Sequence, residues 1–254
     1  MATRKRKKRS RHLWLWVLLG AAGLWGGSVL IRSLTYTDPT VEGRLYLQGL
    51  EDLELPELQS QLNALKSQEL SQAVASGETS IFSMLHDFAF LGDSRSLALK
   101  EYNLLEPGRV IAYTGENIGN IEDHLEEVQK LSPNSIIVAY GINDVENGLG
   151  GSEEGYEALA EDQLRKLQEA VPGAKIYVNS IIPALSSDPA WQRLAAWNQA
   201  LQTACEKVGA VYIDNNYLAS DYASLYEPDG IHFQYSFYTP WMENIVKAMN
   251  GDVL

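Results

Sequence analysis

A single cysteine, Cys205, in 254 residues leaves no partner for an internal disulfide. Four histidines offer little to a metal centre, and neither a metal nor a cofactor is expected. Basic residues are scarce beyond the first twelve positions. There, 13 Lys and Arg stand against 33 Asp and Glu, a formal charge of −20 for residues 13–254 in a chain of −13 overall. A body so acidic repels nucleic acid and will not lie flat on an anionic membrane. No internal repeat or low-complexity tract is present, which excludes repeat architectures.

Charge of either sign is also missing from Leu13 to Ile31, a run of 19 residues. As a helix this run is about 28 Å long, close to the hydrocarbon thickness of a bilayer. Seven Lys and Arg precede it (positions 4–9 and Arg11), Arg32 follows it, and Trp14, Trp16 and Trp25 suit the interfacial belts. The charge asymmetry predicts a cytoplasmic basic head over 1–12, a transmembrane signal anchor over 13–31 and a body outside the membrane. Ala21-Ala22-Gly23 and Gly26-Gly27-Ser28 would suit a cleaved secretory signal, but the span is longer than a usual signal core. Either way the body is exported.

Residues 32–85 read as a juxtamembrane, partly helical stalk. Leu58, Leu62 and Leu65 recur at helical spacing after Pro56, too briefly for a coiled coil, so packing of this helix on the body is expected. From His86 onward apolar runs alternate with amphipathic stretches. The runs are Phe88–Leu91, Val110–Tyr113, Ser135–Tyr140, Lys175–Ile182 and Ala210–Ile213. Helices are predicted around Ile121–Leu131, over Glu154–Ala170, and from the Asp188-Pro189 start to a stop before Gly209. Short apolar strands between such helices predict a three-layer α/β/α sandwich with a parallel sheet, over residues 86–254. Cys205 falls on the apolar stripe of the last of these helices, as a packed core thiol would.

Three polar turns follow in order. Gly92-Asp93-Ser94 closes the first apolar run, Gly141-Ile142-Asn143-Asp144 the third, and Asp229-Gly230-Ile231-His232 lies near the C-terminus. Each could be an ordinary turn. In a parallel sheet, however, Ser94 and Asn143 share the C-terminal rim, and Asp229 and His232, three apart, fit one turn. A carboxylate there fixes the imidazole tautomer while the other ring nitrogen faces a serine hydroxyl. An asparagine N–H₂ and glycine backbone N–H groups can meet developing oxyanion charge. His86, before the first strand, and His124, opposite an apolar stripe, read as surface residues.

These ordered blocks, with a glycine after the second strand, resemble those of the SGNH/GDSL hydrolase family over about residues 86–250. The resemblance implies a flavodoxin-like hydrolase fold acting on ester bonds, with Ser94 as nucleophile, His232 as base and Asp229 as its orienting acid. It implies an oxyanion hole made by the Ser94 N–H, the Gly115 N–H and the Asn143 side chain, with Gly119 the rival glycine. Arg95 stands where many members carry an apolar residue and could contact an anionic substrate or pair with an acid. Around the serine the chain reads Gly92-Asp93-Ser94-Arg95-Ser96, without the Gly-x-Ser-x-Gly elbow of α/β-hydrolases. An extracytoplasmic esterase is expected, with an acyl-ester substrate on envelope polysaccharide or peptidoglycan, the membrane bound through the N-terminal helix, and no nucleic acid partner. The alternatives are an O-acyltransferase with the same triad and a non-catalytic envelope-binding module.

Overall fold

The computed structural model describes Leu18 and residues 55–250, so the head and, Leu18 apart, the span over 13–31 lie outside the described residues. Among the described residues no helix is long and apolar enough to cross a membrane. Helix α1 (Leu55–Ala75) is longer than the leucine spacing suggests. Its Leu62 and Leu65 are exposed, contrary to the expected packing. It is Leu70 and Val74, further along, that reach the core. Ile81, Met84 and Leu85 are buried there too, so packing of the body begins ahead of residue 86.

Five parallel strands follow: β1 (Phe88–Gly92), β2 (Val110–Ala112), β3 (Ser135–Ala139), β4 (Lys175–Asn179) and β5 (Val211–Ile213). They lie in the order β2-β1-β3-β4-β5. Alternate residues feed two cores. Ala89, Leu91, Ile136, Val138, Ile176 and Val178 face one side, and Phe88, Phe90, Ile137, Ala139 and Tyr177 face the other. Both faces are therefore covered, which explains strands that read as continuous apolar runs. Helices α2 (Ser94–Glu101), α7 (Asn216–Asp221) and α8 (Tyr238–Asn250) belong to the second side. The first side takes α3 (Leu125–Leu131), α5 (Glu153–Ala170) and α6 (Leu194–Val208), while α4 (Ile142–Glu146) follows β3.

The segment around Ile121 begins as a 3-10 helix, Ile118–His124, before α3. Likewise Asp188 caps a 3-10 turn, Pro189–Arg193, through a 2.8 Å bond from Ala190 N–H, and α6 then ends at Gly209 in the left-handed region. Cys205 is fully buried on α6, and burial pushes its thiol up to about 12. Edge strand β2 is short, and Lys100 of α2 donates to the carbonyls of Val110 and Ala112, 3.2 Å each. That lysine occupies edge acceptors another strand could use.

Strand order reverses direction between β1 and β3. In open α/β sheets the crevice at that switch point, beyond the strand C-termini, is where ligands bind. Gly92 and Ala139 are paired across it, so the turns bearing Ser94 and Asn143 leave the sheet side by side.

Candidate active site

Ser94 opens α2 immediately after β1. Gly92 makes this turn possible: a Cβ there would fall on the Ser96 side chain and 2.7 Å from Ala139 O. Asp93, buried, caps the helix by accepting the Arg95 N–H at 3.0 Å. Burial raises the Asp93 carboxyl, against the opposing pull of Arg95. Ser96 Oγ donates to Ala139 O at 3.2 Å and ties the helix start to β3. The nucleophile candidate thus stands on a turn whose neighbours are buried, with its own hydroxyl half-buried.

Asp229 and His232 arrive on a loop before α8. Asp229 Oδ1 accepts the N–H groups of Ile231 (2.8 Å) and His232 (2.9 Å), folding the loop around the carboxylate. Asp229 Oδ2 lies 2.7 Å from His232 Nδ1, and His232 Nε2 lies 3.0 Å from Ser94 Oγ. Partial desolvation pushes the Asp229 carboxyl up, but bonds from the His232 ring and the two N–H groups outweigh it and bring it down to about 2. It is therefore ionised at neutral pH, as an orienting acid must be. The side chains of His232 and Asp229 are 46% and 47% exposed, so the pair is open to solvent.

On the other side of Ser94 the loop after β2 carries Gly115 at φ +84, a conformation that favours glycine. Neither the Gly115 nor the Ser94 N–H has an acceptor among the described residues. The Gly119 N–H is taken by Asn117 Oδ1 at 2.9 Å, which disfavours it as the oxyanion glycine. Asn143 Nδ2 donates to Glu116 O at 2.6 Å, and an amide nitrogen has a second N–H to offer. Asp144, fully buried, accepts the Ile118 N–H at 3.2 Å. Burial lifts its carboxyl to about 7, the Ile118 bond opposing and Asp93 adding to the rise.

Two expectations need correction. Arg95 does not face a substrate. It is buried, its Nε and Nη1 donate to Ile231 O (2.8 Å) and Ile182 O (2.6 Å), and its guanidinium sits 4.5 Å from the Phe233 ring centre. It joins α2 to the loop that carries His232. His124 is not a plain surface residue either. Its side chain is largely covered, Nε2 lies 2.8 Å from Glu116 Oε1, and its ring stacks on Tyr113 at 5.2 Å. It therefore braces the loop bearing Gly115. His86 is exposed, as expected. No helical spacing or motif in the sequence pointed to Glu116, because its part is played by a backbone carbonyl.

A cavity of about 230 Å³ lies beside Ser94 and His232. Among the described residues no group of His, Cys, Asp and Glu could hold a metal ion.

Comparisons with known proteins identify the fold and the family. Residues 92–238 match the model of the GDSL-like lipase/acylhydrolase family. The lipase/acylhydrolase from Enterococcus faecalis shares the fold at TM-score 0.52 and 16% identity, over 66% of this chain and 97% of that one. A GDSL-like lipase from Bacteroides thetaiotaomicron does so at TM-score 0.51 and 16% identity, over 72% of this chain and 98% of that one. No curated protein sequence matches the chain. With more than half of its length matched by the family model, and the matched segment running from the turn before Ser94 to the start of α8, this chain is an enzyme of the GDSL-like lipase/acylhydrolase family.

Proposed function

We propose that the protein is a membrane-anchored, extracytoplasmic serine esterase that removes a small acyl group, such as acetyl, from a cell-envelope glycan. The observation that carries the reading is the hydrogen-bonded line Asp229–His232–Ser94, with links of 2.7 and 3.0 Å. Neutral His232 takes the Ser94 proton as Oγ attacks the ester carbonyl, and Asp229 stabilises the resulting imidazolium. The oxyanion is met by the Ser94 and Gly115 N–H groups and the remaining Asn143 N–H. His232 then protonates the departing alcohol, leaving an acyl-serine. Water, deprotonated by the same imidazole, releases the acid and restores Ser94. The basic head and the uncharged run over 13–31 support anchoring with the catalytic body outside. That location is what makes envelope polysaccharide or peptidoglycan the natural acyl carrier.

The test is active-site labelling. A fluorophosphonate probe should label the wild type and not Ser94→Ala, and p-nitrophenyl acetate hydrolysis should vanish in parallel. Equal labelling of both proteins would place the nucleophile elsewhere. Protease accessibility of the body in spheroplasts checks the topology: a body protected from outside sinks the anchoring claim.

A further inference from the structure

The cavity beside Ser94 is lined in part by α2. Ser94, Leu97, Ala98 and Glu101 line it at the three- and four-residue steps of a single face of α2, and Tyr102, which caps that helix, lines it too. From Ser94 to Tyr102 that face runs about 12 Å at the helical rise. The facing wall includes Glu227, Phe233 and Tyr238. At its far end Tyr102 meets Tyr235 edge-on, ring centres 5.5 Å apart, and Tyr235 in turn lines a second cavity of about 650 Å³. Asn103, the next residue along, lines that second cavity, as do Ser80 and Ser83. Tyr102 and Tyr235 are 40% and 56% exposed. Isolated exposed tyrosines need no explanation, but here two are paired, one lining the cavity beside Ser94 and the other the second cavity.

We propose that this trough and the cavity beyond it form a binding groove for an uncharged oligosaccharide, the alcohol part of the ester cleaved at Ser94. The proposal rests on the esterase reading above and adds the class of acyl carrier from the groove's own chemistry. Tyrosine rings present flat apolar faces to the C–H face of a sugar and hydroxyls to its rim. Glu101 and Glu227 accept sugar hydroxyls, whereas an alkyl chain along the same path would strip water from both carboxylates without replacing its hydrogen bonds. Anionic glycans are opposed by those two charges. The groove's arginine, Arg109, is already met by Glu106 at 3.3 Å and Asp87 at 3.5 Å. The solvent-open Asp229–His232 pair leaves the approach clear for a polymer. A chain lying in the groove places its acylated hydroxyl at Ser94 and its remaining rings along α2 toward Tyr102 and Tyr235.

The test uses the full-length Ser94→Ala protein in detergent, titrated calorimetrically with two uncharged series, β-linked N-acetylglucosamine and β-linked xylose, each from monomer to hexamer. In at least one series affinity should climb with length before levelling off. Adding Tyr235→Ala should weaken the longest member about tenfold while moving the monomer far less, a loss equivalent to about 1.4 kcal/mol. An acidic oligogalacturonate series should bind more weakly than either. In turnover, Tyr235→Ala in the otherwise wild-type chain should lower kcat/KM for an acetylated oligosaccharide relative to that for p-nitrophenyl acetate. Affinity flat with length in both series overturns the groove. So does equal loss for monomer and hexamer, or a preference for octanoyl over acetyl among p-nitrophenyl esters. Length-dependent binding in a protein whose wild type hydrolyses no acetyl ester would uphold the groove and sink the esterase reading alone.

Discussion

The two halves of the Ser94–His232 line are built in opposite ways. Ser94 stands on a turn with Gly92, Asp93, Arg95 and Ser96 all buried, anchored to β3 through Ser96. Asp229 and His232 stand on a half-exposed loop whose shape comes from bonds to the Asp229 carboxylate and from the Arg95 guanidinium behind it. The serine half is positioned by packing and the acid–base half by hydrogen bonds. Removing the exposed charge should therefore act on turnover, whereas removing a buried carboxylate should show in how stability varies with pH.

The largest effect expected is at Asp229. Asp229→Asn keeps the shape but removes the charge and lets the amide select the wrong imidazole tautomer, so kcat should fall by about 10⁴. Because Asp229 sits at about 2, it stays ionised across the working range. His232→Gln, which removes the proposed acceptor of the serine proton, should fall at least as far. Activity surviving in His232→Gln would mean that the base lies elsewhere.

Next comes the oxyanion side. Asn143→Ala should lower kcat by roughly 10²–10³ with a smaller change in KM, since its free N–H acts on charge that develops only in the transition state. Activity within a few-fold of wild type would remove Asn143 from the oxyanion hole. Arg95→Met comes third. It leaves the Ile231 and Ile182 carbonyls unpaired and frees the loop beside His232, so kcat should drop about ten- to a hundredfold with KM little changed. Arg95→Lys should recover part of this, having a donor but no fork. A Met variant that fails only in thermal stability would reduce Arg95 to a packing role.

How much of this was legible in the sequence follows from where each signal lives. Strands buried on both faces announce themselves as apolar runs, so all five could be located, although Lys175–Ile182 was read three residues too long because Ile181 and Ile182 prolong the apolar pattern after the ladder stops. The four-residue span from Asp229 to His232 is local and could be read as one turn. Arg95 was misread because its partners, Ile182 O and Ile231 O, lie 87 and 136 residues away and are backbone atoms without a sequence signature. The same holds for Glu116 O, which seats Asn143. Beneath the rim, Asn179 bonds Asn215 at 2.9 Å and Trp241 at 3.1 Å, a buried polar cluster to which neither composition nor periodicity pointed. The start of the packed body was placed too late because Ile81, Met84 and Leu85 form too short an apolar group to signal an element.

The last effect is on stability rather than turnover, at Asp144, buried beside Asn143. Its carboxyl is fully buried and lifted to about 7, whereas in the unfolded chain it titrates near 4. Between those values the folded state holds more protons than the unfolded state, so this group makes stability fall as pH rises, by up to about 1.4 kcal/mol per pH unit. Its contribution is fully present below about pH 4 and spent once the pH passes about 7. Asp144→Asn is uncharged in both states, and its carbonyl can still accept the Ile118 N–H, so the variant should lack this decline. Urea denaturation at about pH 5 and about pH 8 should show Asp144→Asn gaining on the wild type at the higher pH. The Asp229 carboxyl, half-exposed and already ionised, predicts no such drift for Asp229→Asn over the same interval. If both variants showed the same pH-independent offset from the wild type, the contrast between a packed half and a hydrogen-bonded half would collapse.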